Sequence, residues 1–368
     1  MRQRRGVLSM ANKPSTNRAD KLKDIITAAT APAPAAPALP YYRPEEFADT
    51  STFSTIRQGS ATNALTKIKP KIGKNLELDA ITGAATIKQG GLALSIPDYS
   101  KLVSGGLKTS TYKLLDALTV VFTESGGKST TVTLPLDEYM KKCGLKDKKE
   151  ARKQVTADLE ALFNMRLSFT GRKKTDQDFL DLRICDAKGI KNGIITFNFS
   201  APFYKVIMGY PVMPYPAQLW KLDAKANPNS YYLLRKIAEH KNMNIGKKNE
   251  DIIAVNTLLK VCPAIPSYND VVKSSNRSTT ERIINPFERD LNALADTLTW
   301  EYCHSNGQPL TDEELARFNY EIFSGLLIRT AWRKYPDQTT RLETKAERVA
   351  SKKKPAPKKK KPDAEAES

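Results

Sequence analysis

The stretch Arg277–Tyr302, RSTTERIINPFERDLNALADTLTWEY, limits the possible folds more than any other part of the chain. Its first half sets Arg277, Thr279, Thr280 and Arg282 close together. Its second half spaces Phe287, Leu291, Leu294 and Leu298 so that one helical side can dock on a core while cations and hydroxyls stay in water. Leu298–Tyr302 then alternates apolar and polar as a strand does. Pro286 removes one hydrogen bond from this helix, and the spacing predicts a kinked but continuous helix through it. The same design occurs earlier, at Lys148–Phe169. There Asp147 and Glu150 form a capping-box pattern ahead of an apolar side made of Val155, Leu159, Leu162 and Phe163, and Arg166–Thr170 follows as a strand.

Around these stretches the element order repeats. In the first half, Thr109 opens a helix that ends at Ser125-Gly126-Gly127. Thr130–Leu134 is a strand, Leu136–Cys143 a second helix and Lys148 the start of a third. A strand at Arg166–Thr170, a basic tip at Gly171–Lys174, a partner strand at Phe179–Cys185 and a last strand at Ile194–Phe199 are expected to form one small sheet. Ala201–Met208 closes the unit. In the second half, Asn227–Ser230 opens a helix, Ile252–Val255 is a strand, and short helices at Thr257–Val261 and Ser267–Ser274 precede the opening stretch. Cys303–Asp312 suits a turn and Phe318–Thr330 a returning strand.

Two short identities fall at equivalent places in this order. Tyr112-Lys113-Leu114-Leu115 matches Tyr231-Tyr232-Leu233-Leu234 in the first helices, and Asp158–Leu162 (DLEAL) matches Asp290–Leu294 (DLNAL) in the third. They point to a duplication, with the second unit enlarged between its first and third helices. The expected organisation is α+β: a disordered linker leader at 1–75, one unit at 76–212, a second at 213–336 and a basic low-complexity tail at 337–368. Ala31–Pro40, APAPAAPALP, is a stiff spacer, Asp20–Thr30 suits a short helix, and Leu76–Pro97 suits two or three short strands.

The chain carries 59 Lys and Arg against 40 Asp and Glu, a net charge of +19. Residues 1–30 hold seven basic and two acidic groups and 341–368 hold ten and five, so +10 belongs to the ends and +9 remains on the body. Such a balance favours a polyanionic partner, because Lys and Arg displace counterions from phosphates. Cys143, Cys185, Cys262 and Cys303 are far apart and His240 is remote from His304, which argues for reduced thiols rather than a zinc ribbon or disulfide framework. No apolar run approaches the length of a membrane span, and a bacterial cytoplasmic location is expected.

Catalytic constellations fail on inspection. Gly126-Gly127-Lys128-Ser129 resembles the end of a phosphate-binding loop, but the position for its first glycine is Phe122. No His-x-His pair stands beside a tyrosine nucleophile, and the acidic pairs Asp178/Asp181 and Glu313/Glu314 sit in polar turns. No enzymatic activity, cofactor or metal is expected. The DNA-binding features are better supplied. The N-terminal part of a recognition helix faces the major groove. The first unit offers Lys148, Lys149, Arg152 and Lys153 there, a cationic row suited to phosphates. The second offers Asn276, Arg277, Thr279, Thr280 and Arg282, a mixture suited to base edges. Arg172, Lys173 and Lys174 suit a wing on a minor groove or backbone.

A basic helix leading into a strand, preceded by helix, strand and helix, is the order of a winged helix-turn-helix. With two such units in tandem, the chain resembles the plasmid replication initiators of the Rep family, which start theta-type replication. The resemblance rests on TYKLLDAL, LDEYMKKCGLKDKKEARKQVTADLEAL, NPNSYYLLRKIAEHKN and RIINPFERDLNAL and covers about Leu76–Trp332. The leader and the enlargement before the second unit's third helix depart from it. It implies two tandem winged-helix domains that bind repeated origin sites in plasmid or phage DNA. It further implies a dimer contact through the first domain, exchange between a self-repressing homodimer and an origin-opening monomer, and recruitment of host helicase or primase. A transcriptional repressor or partition-type DNA binder would use the same residues. A nuclease is the remaining alternative.

Overall fold

The computed structural model describes residues 53–59, 62–63, 76–78, 85–89, 92–96, 108–170, 179–316 and 318–336. The helix expected at Asp20–Thr30, the tip carrying Arg172, Lys173 and Lys174, and the tail lie outside them. The fold is α+β, and none of the described helices is long and apolar enough to cross a membrane.

Strand β1 (Phe53–Arg57) comes first. Then β2 (Leu76–Leu78), β3 (Ala85–Gln89) and β4 (Leu92–Ile96) form an antiparallel meander, as the alternating runs predict. Helix α1 (Thr109–Glu124) buries Tyr112, Leu115, Leu118 and Phe122. It ends in a turn where Gly127 donates its N–H to the Phe122 carbonyl at 2.9 Å. Both glycines there have positive φ, so Gly126–Ser129 terminates a helix instead of cradling a phosphate. Next come β5 (Thr131–Pro135), α2 (Leu136–Cys143), closed by the left-handed Gly144, and α3 (Lys148–Asn164). As the capping box predicts, the Asp147 side chain accepts from the Glu150 N–H at 2.8 Å.

The strands after α3 are partitioned differently from expectation. β6 (Arg166–Thr170) and β7 (Phe179–Arg183) join the meander in a five-stranded sheet of order β2-β3-β4-β6-β7. A separate hairpin, β8 (Cys185–Lys191) and β9 (Ile194–Phe199), pairs with β5 in the order β5-β9-β8. The cause is local: Asn192 and Gly193 have φ of 50° and 75°, the two-residue turn that suits strand twist and that Asn-Gly adopts readily. β6 and β7, the strands on either side of 171–174 in sequence, therefore belong to the five-stranded sheet and not to the sheet built on β5.

Helix α4 (Ala201–Met208) follows, then β10 (Val212–Pro216) and the short α5 (Gln218–Lys221). The second half opens with α6 (Ser230–Asn244), then β11 (Ile252–Ala254), α7 (Val255–Leu259) and α8 (Tyr268–Lys273). Helix α9 starts as a π turn, Thr280–Ile284, and runs on as Asn285–Asn292. The backbone stays helical through Ile284 and Asn285, so the helix is continuous at Pro286, as predicted, and the irregularity lies in the turn before it. After β12 (Leu298–Cys303), α10 (Asp312–Ala316) and α11 (Tyr320–Gly325), β13 (Leu327–Trp332) completes a sheet of order β11-β13-β12. The strand expected from Phe318 begins only at Leu327. The Asn319 side chain accepts from the Ile322 N–H at 3.0 Å and caps a helix there instead.

The two three-stranded sheets repeat one plan, with the first strand hydrogen-bonded to the third and the third to the second. A matching detail recurs where the second helix starts. Leu136 donates its N–H to the Gly193 carbonyl at 2.8 Å, and Val255 donates to the Leu326 carbonyl at 3.1 Å. One continuous apolar core runs through both halves. Within it, Arg235 of α6 meets Asp116 of α1 through Nε at 3.0 Å and Nη2 at 3.1 Å. Tyr215 and Tyr231 donate to the same carboxylate at 2.9 and 2.6 Å. Asp116 and Arg235 each stand four residues after the tyrosine of the repeated tetrad, so equivalent positions of the two units touch, as a two-fold relation produces.

Part of the segment expected as a linker leader forms a strand. β1 pairs antiparallel with β10 along its whole length, and every residue of β10 is buried. The described residues thus include a strand ahead of Leu76, and its partner is supplied by the segment between the units.

Candidate nucleic-acid interface

The third helix of each unit is held by an aspartate. On α3, Asp158 sits beside the buried Val155, Leu159 and Leu162. Its Oδ1 accepts from Thr111 Oγ1 at 2.6 Å, Ser110 Oγ at 3.1 Å and Gln154 Nε2 at 3.1 Å. Burial pushes this carboxyl above its ordinary pKa, opposed by those three hydrogen bonds. On α9, Asp290 is fully buried. Its Oδ2 accepts from the backbone N–H and the side-chain amide of Asn229 at 2.8 and 2.7 Å, and its carbonyl accepts from Ser230 Oγ at 2.7 Å. Ser110 and Asn229 precede the repeated tyrosine by two residues, Thr111 and Ser230 by one. The two short identities in the sequence are therefore the two ends of one tie between first and third helices.

With its apolar side fixed, α3 presents Lys148, Lys149, Arg152 and Lys153 to solvent. Lys148 pairs with Asp137 at 2.8 Å, but with 62% and 73% of the two side chains exposed that pair is weak and easily exchanged for a phosphate. Arg152 reaches the Ile190 carbonyl at 3.4 Å, which brings the helix beside the β8–β9 hairpin. Lys149 and Lys153 make no ion pair among the described residues. At the hairpin tip Lys191 and Asn192 are exposed, two residues outside the set expected from sequence. The Asn-Gly signal was present there and would have identified the hairpin. Lys188, further from the tip, is engaged by Glu160, whose carboxyl that contact holds below its ordinary pKa.

On the second unit the selected residues divide. Asn276 and Arg277 lie just ahead of α9 and are exposed, as is Thr280, while Thr279 is half-buried. Asn276 Oδ1 accepts from the Ser278 N–H at 3.0 Å, and Ser278 Oγ accepts from the Glu281 N–H at 3.3 Å, forming the helix entry. Arg282 turns back on this entry. Its Nη1 donates to the Asn276 carbonyl at 2.9 Å and to Ser274 Oγ. In this structure it braces the loop that carries Asn276 and Arg277.

Further along α9, Glu281, Asn285, Arg289 and Asn292 are exposed on one side, opposite the buried Ile283, Ile284, Phe287 and Leu291. Asn285 and Arg289 were not selected from sequence, although both fall in the gaps of the apolar pattern. Arg289 Nε donates to Asp290 Oδ1 at 2.8 Å, and Asn292 Oδ1 accepts from Trp300 Nε1 at 3.0 Å. Tyr302 donates to Glu288 at 2.9 Å, and burial together with that carboxylate pushes its hydroxyl pKa up. Strand β12 is by these contacts fastened along the flank of α9.

No protein-family model matches the chain, and no curated protein does. Among solved structures, the chain is similar to domains 2 and 3 of RctB. A structure of a selenomethionine derivative of those domains shows 12% sequence identity and a TM-score of 0.41, covering 74% of this chain and 98% of that one. A second structure of RctB domains 2–3 shows 9% identity and a TM-score of 0.38, covering 77% and 99%.

Proposed function

We propose that this is a sequence-specific, non-enzymatic double-stranded DNA-binding protein that starts plasmid or phage DNA replication from repeated origin sites and represses its own gene. Each unit is a winged helix-turn-helix, with α3 and α9 as third helices and the β8–β9 and β12–β13 connections as wings. One observation carries this reading: the same frame occurs twice, and in both copies the third helix buries its apolar side and tie while exposing a cationic or amide-bearing side. On α3 that side is a row of cations suited to phosphates. On α9 and its entry it is Arg277, Thr280, Asn285 and Arg289, with the forked and amide groups that pair with guanine and adenine edges. The contact between equivalent positions supports a two-fold relation of the units, so one chain presents two DNA-facing helices, one gripping the backbone and one reading bases. Exchange between homodimer and monomer and recruitment of host helicase or primase belong to the same proposal.

The deciding experiment is a DNase footprint on the DNA flanking the protein's own gene. Protection of several direct repeats spaced about two helical turns apart supports an initiator. A single protected palindrome over the promoter points to a repressor that uses the same surfaces. Absence of any footprint, with binding that fades steeply in salt, reduces the interaction to charge.

A further inference from the structure

We propose that residues 53–59 together with 62–63 are a clasp that sets the angle between the two units, and thereby the separation of the DNA sites one chain can read; this rests on the DNA-binding reading above. The segment is fastened to both sides. Toward the first unit, Arg57 and Thr55 donate their backbone N–H groups to Thr123 Oγ1 at 3.0 Å and Glu124 Oε1 at 3.2 Å, at the end of α1. The buried Arg57 guanidinium donates to the carbonyls of Met208 and Tyr210 at 2.8 and 3.1 Å. These lie at the C-terminal end of α4, where unpaired carbonyls and the helix dipole favour a cation. Toward the second unit, Asn63 donates to Glu239 at 2.8 Å and accepts from Arg235 Nη1 at 3.2 Å, both on α6. Phe53 packs its ring 6.4 Å from Trp332 and 5.4 Å from Tyr335.

Between these anchors β1 pairs with β10, the segment that joins the units, so the clasp lies along that connection. Arg235 is shared: one guanidinium serves Asp116 across the junction and Asn63 on the clasp. Gly59 makes the seat tight, because a Cβ there would stand 2.2 Å from the Tyr210 ring. Any side chain at that position must displace the ring or the clasp.

The test uses the full-length protein with Cys143→Ser and spin labels on Ala157→Cys and Asp296→Cys, both exposed positions, one in each unit. In this background the inter-label distance distribution is narrow, and Gly59→Val broadens it about twofold while the circular dichroism spectrum is retained, as expected when a domain junction is released. A folded Gly59→Val protein whose distribution matches the parent overturns the proposal. If Gly59→Val does not fold, Asn63→Ala, which removes only hydrogen bonds, decides by the same criterion.

The functional arm inserts five base pairs, half a helical turn, between two protected sites. Wild-type affinity falls by on the order of tenfold or more, whereas the clasp variant loses about threefold or less, because its units can re-orient. Equal losses for both proteins overturn the clasp. Absence of DNA binding by wild type instead defeats the functional reading, and the label distances still judge the clasp.

Discussion

The two units share one frame and differ in how their third helices begin. In the first, Asp147 caps α3 and the helix starts at once with a row of lysines and an arginine. In the second, the entry is an elaborated loop: α8 is added ahead of it, Asn276 and Ser278 shape the turn, Arg282 braces it from within, and the first turn is π-helical. The added residues lie in the segment where the two short identities drift out of register. A frame that needs only a tie, a core side and a three-stranded sheet leaves the helix entry free to diverge. The first entry became uniform in charge and the second varied in chemistry.

The largest test concerns the tie. Asp290→Ala strands a buried backbone N–H and an amide and should cost about 3 kcal/mol, read from urea midpoints. Asp158→Ala strands mainly hydroxyls and a glutamine that can rotate to other partners, and should cost about 1–2 kcal/mol. Equal costs would mean that the two ties are interchangeable despite their different donors. Next in size is the division between reading and bracing on the second unit. Arg277→Ala should relax base preference by about 1–3 kcal/mol at one position. Arg282→Ala should weaken binding to all sequences alike, since it loosens the loop. Preference lost with Arg282 but kept without Arg277 would reverse their roles.

On the first unit, replacing Lys149 and Lys153 with alanine should weaken all DNA equally and reduce the salt slope by about two, one per phosphate contact. A change in sequence preference would place base reading on α3 as well. The smallest effect is pH-dependent. The buried Asp158 carboxyl has a folded pKa above its unfolded value, so it binds its proton more readily when folded. Its penalty is absent below the ordinary aspartate range, near about pH 4, and develops as pH rises through the raised value. Asp158→Asn should therefore gain on wild type in melting temperature between acid and neutral pH. A gap that does not change with pH would remove the charge from the account.

Much of this frame was legible in the residues. Helical spacing located α1, α2, α3 and α6, glycine and capping aspartate marked their ends, and the matched DLEAL and DLNAL segments marked equivalent places in the third helices, though not the tie their aspartates make. The β8–β9 hairpin was also legible, through Asn192-Gly193, yet the basic run at 171–174 drew the wing to a neighbouring pair of strands. Asn319 was a visible cap ahead of α11, overlooked because FNYEIF is rich in strand formers. Other features had no local signal. FSTIR at 53–57 is too short and too ordinary to mark a strand, and its burial depends on β10, more than 150 residues away in sequence. The inward turn of Arg282 likewise depends on where Ser274 and the Asn276 carbonyl come to lie.

The ring contact between Phe53 and Tyr335 has a consequence for topology. The body is entered and left at one point, so its backbone traces nearly a closed circuit. Residues 1–52 and 336–368, on either side of this contact, together carry +7, and a tag or fusion at either boundary starts from the same patch of surface. Joining that entry to that exit and cutting elsewhere, at the Asn192-Gly193 turn for example, would give a permuted chain with its two third helices still held by the same ties and core.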